Sequence, residues 1–470
     1  MIVMKFGGSS VGAADRMRRV AELIKRARAQ KPVVVVSALS GVTDQLIALA
    51  HAALAGRASL GALLTRHTDV CRDLGLPSDL VAPHLFQLED LLRGIGLVGE
   101  LTPRSLDTVM SFGERMSSVI LAAHCTAVGL PARAYPAWEM GLVTDSAYGN
   151  ATPLPVTWKR IPARLRRVRD GQPIITGYIA HDAHGNITTL GRDGSDYSAS
   201  IFGAALGARE IQIWSDVSGV MTADPTICPD ALPIDHLSFE EAGELAYYGA
   251  RVLHPSSLLP AMERNIPVRV LNTMRPDDAG TVITRRRQGR DGEVRSIAYK
   301  EDQLLITVAS TRMLGQSGFM ARMFEVFHRH GVVLNQIGTS EISVSLTTGS
   351  ERGLAEAARD LGQLAEVEIH RGRAVVCVVG SGIREQRHIP ARVFGALDRA
   401  GVTPQVISQG ATRVSLSFLI DNAEIAPAVR ALHAELFPST RSARSGQAPS
   451  TRAASRTRAA ASNRRRARRA

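Results

Sequence analysis

The chain opens on an apolar run, Ile2 and Val3, that ends at "MKFGGSS" (4 to 10), and short runs rich in β-branched residues recur through the first 285 residues. "VVVVSA" (33 to 38), "QPIITGY" (172 to 178), "IQIWSD" (211 to 216) and "IPVRVLN" (266 to 272) are apolar without strict alternation. That is the pattern of strands covered on both faces. Between them Met17, Val20, Ile24 and Ala27 repeat at helical spacing, while "TDQLIALAHAAL" and "SDYSASIFGAALG" open on cap-type residues. Strands alternating with amphipathic helices predict an α/β domain over 1–285, with a largely parallel central sheet and ligands at the carboxyl ends of its strands.

After an arginine-rich stretch, 285 to 295, the pattern changes. A shift of 70 residues aligns "ARMFEVFHRHGVVLNQIGTSEISVSL" (321 to 346) with "ARVFGALDRAGVTPQVISQGATRVSL" (391 to 416) without a gap, and ten of the 26 positions are identical. A helix closed by glycine (Gly331, Gly401), then strand, turn and strand, occurs twice, so two small α+β modules are expected, at 297–372 and 373–437.

Charge changes the picture only at the end of the chain. The formal net charge is +12, but residues 441 to 470 hold ten arginines and no acid. The other 440 residues therefore carry 46 basic and 44 acidic side chains, a net of +2. This tail (438–470) is Ala, Ser and Arg without large apolar residues, so it is expected to stay disordered and to bind polyanions weakly. The four cysteines, Cys71, Cys125, Cys228 and Cys377, stand far apart, so neither a disulfide framework nor a zinc motif is indicated, which fits a cytoplasmic protein. No apolar run is long enough to span a bilayer, so no membrane partner is expected.

Candidate chemistry gathers at four predicted strand ends. Lys5 with Gly7, Gly8 and Ser9 combines a cation with backbone that can approach an anion such as phosphate. "SALSGVTD" (37 to 44) places Ser37, Gly41 and Thr43 before a helix. "TTLGRDGSDYSAS" (188 to 200) carries Gly191, Arg192, Asp193, Gly194, Ser195 and Asp196, and "WSDVSGVMTADPT" (214 to 226) supplies hydroxyls and aspartates. The literal G-x-G-x-x-G at Gly94, Gly96 and Gly99 follows a helical pattern and lacks the strand-turn-helix setting of a dinucleotide site.

Taken together, the motifs resemble those of the amino acid kinases, and within them the aspartate kinases, over residues 1 to about 437. "KFGGSSV", "SFGERMSS", "TTLGRDGSDYSA", "IWSDVSGVMTADP" and "ARVLHP" match family segments in order and spacing, and the repeated module resembles paired ACT domains. The resemblance implies a three-layer αβα kinase domain with a largely parallel central sheet and two ferredoxin-like ACT modules. The implied reaction transfers the γ-phosphoryl group of ATP, with Mg²⁺ carried on the phosphates, to the side-chain carboxylate of L-aspartate. It implies Lys5 and Asp196 as catalytic residues and Thr43, Glu114, Arg192 and Ser195 as substrate contacts. Lys5, Gly7, Gly8, Ser9, Ser37, Ser215, Asp216, Met221, Thr226 and Arg251 fall at nucleotide positions. Met313, Gln316, Gly318, Phe319, Leu334, Asn335 and Glu341 fall at those of an amino-acid effector, lysine or threonine or both, and a homodimer through the ACT modules is implied.

Several positions depart from the family pattern. Met221, Thr226 and Arg251 stand where tyrosine, arginine and lysine are common, Asp193 replaces glycine or asparagine, and Asn335 replaces an acidic residue. The competing expectations are another amino acid kinase, or an amino-acid-sensing ACT protein with weakened catalysis.

Overall fold

Strand β1 (Ile2–Phe6) is buried at all five positions because helices cover both of its faces. Ile2, Met4 and Phe6 pack with Met17, Val20 and Ile24 on one side, while Val3 packs with Ile201 and Phe202 on the other. The period of two thus divides an apolar strand between two cores, which explains why these strands read as unbroken apolar runs. The computed structural model describes residues 1–168, 171–249, 255–286, 293–313, 317–409 and 414–438. Arg251, Gln316 and the arginine-rich tail lie outside the described residues.

The strands of the first domain are β2 (Pro32–Val36), β3 (Ala132–Tyr135), β4 (Val143–Thr144), β5 (Gln172–Thr176), β6 (Ile179–Asp182), β7 (Ile187–Thr189), β8 (Ile211–Ser215), β9 (His236–Ser238), β10 (Val268–Asn272) and β11 (Thr281–Thr284). Seven of them, with β1, form one eight-stranded sheet in the order β3-β5-β2-β1-β8-β10-β11-β9, and β4, β6 and β7 form a small sheet beside it. Every pairing in the large sheet is parallel except β10 with β11. Each of the four apolar runs singled out in the sequence is a strand of this sheet. Gly94 and Gly96 lie inside a helix, Ala82–Val98, and Gly99 closes it in left-handed conformation.

The C-terminal part is a single six-stranded antiparallel sheet built from β12 (Ser296–Ala309), β13 (Ile337–Thr339), β14 (Ser343–Thr348), β15 (Glu366–Val379), β16 (Ile407–Ser408) and β17 (Ser415–Asp421), in the order β13-β14-β12-β15-β17-β16. The repeated segments give equivalent helices, Phe319–Arg329 and His388–Arg399, each followed by a pair of strands. The two long strands serve both halves. Residues 304–309 of β12 pair with β14 and with the start of β15, whereas 296–300 pair with the end of β15, which carries β17. The strand that completes the second α+β unit therefore precedes the first unit in the chain.

Glu241 joins this sheet to the first domain. It is 3 % exposed, closes a capping box with Ser238 at the start of the Phe239–Tyr247 helix, and its Oε1 accepts from Ser381 N at 2.9 Å and Ser381 Oγ at 2.6 Å. One carboxylate thus caps a helix and anchors the second unit.

The loop after β8 is anchored from β11. Thr281 Oγ1 accepts from Val220 N at 2.7 Å and donates to Ile234 O at 2.6 Å. That approach requires a turn with no side chain before Thr281: Gly280 has φ +66°, and a Cβ there would lie 2.0 Å from Val270 O. Gly280→Ala is therefore expected to destabilise the chain by about 2 kcal/mol or more, read as a lowered Tm in calorimetry; an unchanged Tm would contradict this packing.

Candidate active site

Lys5 is the one charged residue of β1, and it is 8 % exposed. Its Nζ lies 2.6 Å from Asp196 Oδ1, in the first turn of the Gly194–Leu206 helix. Burial pushes the Asp196 carboxyl up, the Lys5 charge pulls it down, and Asp193 adds a smaller upward push. Asp193 itself has φ 51° and ψ 30°, the left-handed region. Glycine and asparagine enter that region at low cost, and aspartate is tolerated there for the same reason as asparagine.

The turn after β1 is pinned to the end of β8 by Gly7 N donating to Trp214 O at 3.0 Å, and to the residue after β10 by Ser10 Oγ meeting Thr273 Oγ1 at 2.6 Å. A Cβ on Gly8 would sit 3.0 Å from Ala38 O, so this turn lies flat against the loop after β2. Between the two loops and the Gly194–Leu206 helix opens a cleft of about 620 Å³. Lys5, Gly8, Ser9, Ser37, Thr43, Glu114, Arg192, Ser195 and Asp196 all line it. Residues far apart in the chain meet because their strands are neighbours and all end on the same side of the sheet.

Glu114, in the first turn of the Phe112–Ala127 helix, is 2 % exposed. Its Oε1 accepts from Ala38 N at 3.1 Å, while the buried Oε2 has no partner. Burial raises its pKa to about 8, against the downward pull of the Ala38 and Glu114 backbone N–H groups and of Lys5. A buried carboxylate oxygen without a donor can accept from a bound cation. Arg192 stands exposed across the cleft; after burial, its charge is the next influence lowering the pKa of Lys300 in β12.

The nucleotide positions divide. Ser215 ends β8 and the Asp216 carbonyl accepts from Asn272 Nδ2 at 3.1 Å, next to the turn after β1. Gly7, Ser215, Asp216, Met221 and Thr226 do not line the cleft. Thr226 turns back onto Asp224, donating from N (2.9 Å) and Oγ1 (2.7 Å) to Oδ1. The rest of this loop is held by the C-terminal sheet: Ser296 Oγ donates to Met221 O at 2.8 Å, Thr222 Oγ1 meets His433 Nε2 at 2.8 Å and Tyr299 OH donates to Asp224 Oδ2 at 3.0 Å.

Among the effector positions, Gly318 has φ 86° and caps the Phe319–Arg329 helix. Phe319 is buried in the core of the first α+β unit, with Met313 and Leu334 packed at its margin. Asn335 Nδ2 donates to Gln303 Oε1 at 3.0 Å and its carbonyl receives Tyr247 OH at 3.4 Å, while Glu341 is exposed.

Two residues near the cleft had no local signal in the sequence. Tyr178, with φ 64°, lines it, and its OH donates to Met110 Sδ at 3.3 Å. Asp107 is 1 % exposed and accepts from Gly149 N, Thr189 N and Thr189 Oγ1, each at 2.9 Å. Burial pushes its carboxyl up while those three bonds pull it down.

Comparison with known proteins gives the same grouping of parts. The model of the amino acid kinase family matches residues 1–272 and that of an ACT domain matches 376–436. Aspartokinase 1 of Arabidopsis thaliana, a chloroplastic enzyme, is 39 % identical over 454 residues, covering 92 % of this chain and 79 % of the relative. The lysine-sensitive aspartokinase 3 of Escherichia coli is 32 % identical, covering 92 % and 98 %. The crystal structure of E. coli aspartokinase III in complex with aspartate and ADP (R-state) superposes with a TM-score of 0.80 at 30 % identity, over 93 % of this chain and 100 % of that one. The complex of the same enzyme with lysine and aspartate (T-state) gives 0.72 at 32 % identity, over 93 % and 99 %. With a kinase domain, a repeated regulatory module and relatives of this identity along nearly its whole described length, the chain belongs to the amino acid kinase family and, within it, to the aspartokinases.

Proposed function

We propose that this aspartokinase holds L-aspartate in the cleft between Glu114 and Arg192 and directs its side-chain carboxylate at the γ-phosphorus of ATP. The observation that carries this reading is the orphaned, buried Oε2 of Glu114 facing a cleft that also contains Lys5, Arg192 and a helix N-terminus. The attacking carboxylate has an ordinary pKa of about 3.9 and is ionised at neutral pH, so no general base is required. The barrier lies in bringing two anions together.

This chain's residues divide that work. Lys5, fixed by Asp196, supplies positive potential where the transferred phosphoryl group sits. Gly7, Gly8, Ser9 and Ser37 present backbone and hydroxyl donors to the phosphates, and Ser195 adds one at the helix N-terminus. Glu114 accepts from the substrate ammonium group, Thr43 donates to a substrate carboxylate, and Arg192 grips a carboxylate through two N–H groups. Magnesium, held by the nucleotide phosphates, would screen their charge. Ser215 and Asp216, at the end of β8, approach the rest of the nucleotide, Met221 and Thr226 bear on it only through the loop they share, and Arg251 lies outside the described residues.

The paired α+β units serve as the sensor of an amino-acid effector and as the surface of a homodimer. Because the loop from Met221 to Thr226 is tied to the C-terminal sheet, a shift of that sheet would reach the nucleotide side first. Asn335 offers no charge to a lysine ammonium group, so lysine is one candidate effector and threonine, or the two together, is another. The four cysteines are free and buried, in keeping with a reducing compartment such as the cytoplasm. Among the described residues no helix is long and apolar enough to cross a membrane. The arginine-rich tail adds a salt-dependent affinity for polyanions.

Lys5→Ala is expected to lower kcat by about 10²–10³ while changing the KM for L-aspartate far less, because its charge is needed most in the transition state. Steady-state ADP release measures both; an equal loss in binding with unchanged kcat would contradict the assignment.

Glu114 gives a pH signature. Its folded pKa is raised from the ordinary 4.5 to about 8, so the empty chain holds a proton there and loses stability as pH rises through that window. Binding an ammonium group requires the carboxylate. The KM for L-aspartate should therefore fall by up to about tenfold per unit from pH ~6 toward 8 and then level off. Glu114→Gln should raise KM by about 10–100-fold and flatten the profile. A profile unchanged by that substitution would contradict the role.

A further inference from the structure

A second cavity, of about 600 Å³, opens at the seam between the first domain and the C-terminal sheet. Small-molecule sites are commonly of this volume and favour such seams. Leu232 and Asp235 line it from the arm after β8, Glu293 and Arg295 from the approach to β12, Arg392 from the His388–Arg399 helix, and Phe437 from the end of the Ile425–Leu436 helix. None of them lines the active-site cleft or stands at an effector position of the first α+β unit. Thr222 also lines the cavity, and its Oγ1 accepts from Leu232 N at 2.8 Å and meets His433 Nε2 at 2.8 Å. The cavity therefore sits where the arm after β8 is fastened to the C-terminal part of the chain.

Both signs of charge stand in this lining. Arg392 is anchored at one edge by Nε donating to Glu435 Oε1 at 2.9 Å, and Arg295 Nη1 lies 3.4 Å from Glu293 Oε2. A polyanion meets Asp235 and Glu293 here, and a bare cation meets Arg295 and Arg392, so neither is matched. Among the described residues no cluster of His, Cys, Asp and Glu is placed to hold a metal ion. A zwitterion is matched, because it answers each charge with its opposite. The Arg295–Glu293 pair is wider than a hydrogen bond and sets a guanidinium beside a carboxylate, the complement of a carboxylate and an ammonium group carried on one carbon atom. The rest of the lining asks for apolar surface, since Leu232 is 54 % exposed and Phe437 is half-buried. We propose that this cavity binds a free amino acid with a large apolar side chain, its carboxylate on Arg295, its ammonium group on Glu293 and its side chain against Leu232 and Phe437.

Isothermal titration calorimetry on the full chain tests this with L-leucine, L-methionine and L-phenylalanine. At least one of them should bind with a Kd of about 1 mM or tighter. Isocaproate, which lacks the ammonium group of leucine, and isoamylamine, which lacks its carboxylate, should each bind about tenfold more weakly or not at all. Glu293→Gln and Leu232→Ser change exposed side chains outside the active-site cleft. Each should weaken the amino acid by about tenfold and leave L-aspartate-dependent ADP release within about twofold of its starting rate. The proposal is overturned if none of the three amino acids binds, or if the amine or the acid alone binds as tightly as the amino acid. Binding undiminished in either variant overturns it as well, because the amino acid is then held elsewhere on the chain. Each of these failures leaves the reading of the active-site cleft intact.

Discussion

The buried ion pair between Lys5 and Asp196 is the constraint from which the site follows. A lysine in the middle of an otherwise apolar parallel strand stays charged only with a partner, and removing one partner from such a pair costs about 3–5 kcal/mol. Asp196 can be that partner because the Gly194–Leu206 helix begins where it does, after a residue in left-handed conformation. The helix N-terminus, the turn after β1 and the lysine charge are thereby fixed on one side of the sheet. For phosphoryl transfer between two anions, a positive group held in place before the substrates arrive contributes more than one that must be recruited.

A second level of organisation links that site to the C-terminal sheet. The loop after β8 is held from below by Thr281 and from the side by Ser296, Tyr299 and His433. Asn335 receives Tyr247 at the end of the helix that Glu241 caps. Since β12 and β15 belong to both α+β units, neither unit can move without moving these shared strands. The loop after β8 of the first domain is thus held partly by the C-terminal part of the chain.

Much of this was legible in the sequence. Unbroken apolar runs such as "VVVVSA" are strands because both faces are covered, and the glycine-rich ends of those strands meet in one cleft because the sheet is parallel. The 70-residue repeat gave two equivalent helix and strand-pair units. Sharing of the long strands could not be read, since sequence identity marks the helices and hairpins and says nothing about where a 14-residue strand finds its partners. Asp107 was silent for a related reason: its partners lie 42 and 82 residues away, and no local pattern records a bond of that span. Met221 and Thr226 stand in a motif beside Ser215, yet the loop carries them away from the cleft and onto the C-terminal sheet.

The central claim is that the cleft transfers phosphate to L-aspartate. The most direct measurement is release of ADP by the full chain with Mg-ATP, comparing L-aspartate with L-glutamate and with no amino acid. The account predicts turnover that depends on L-aspartate and is weak with L-glutamate; a folded chain that releases ADP at the same rate with and without L-aspartate would contradict it.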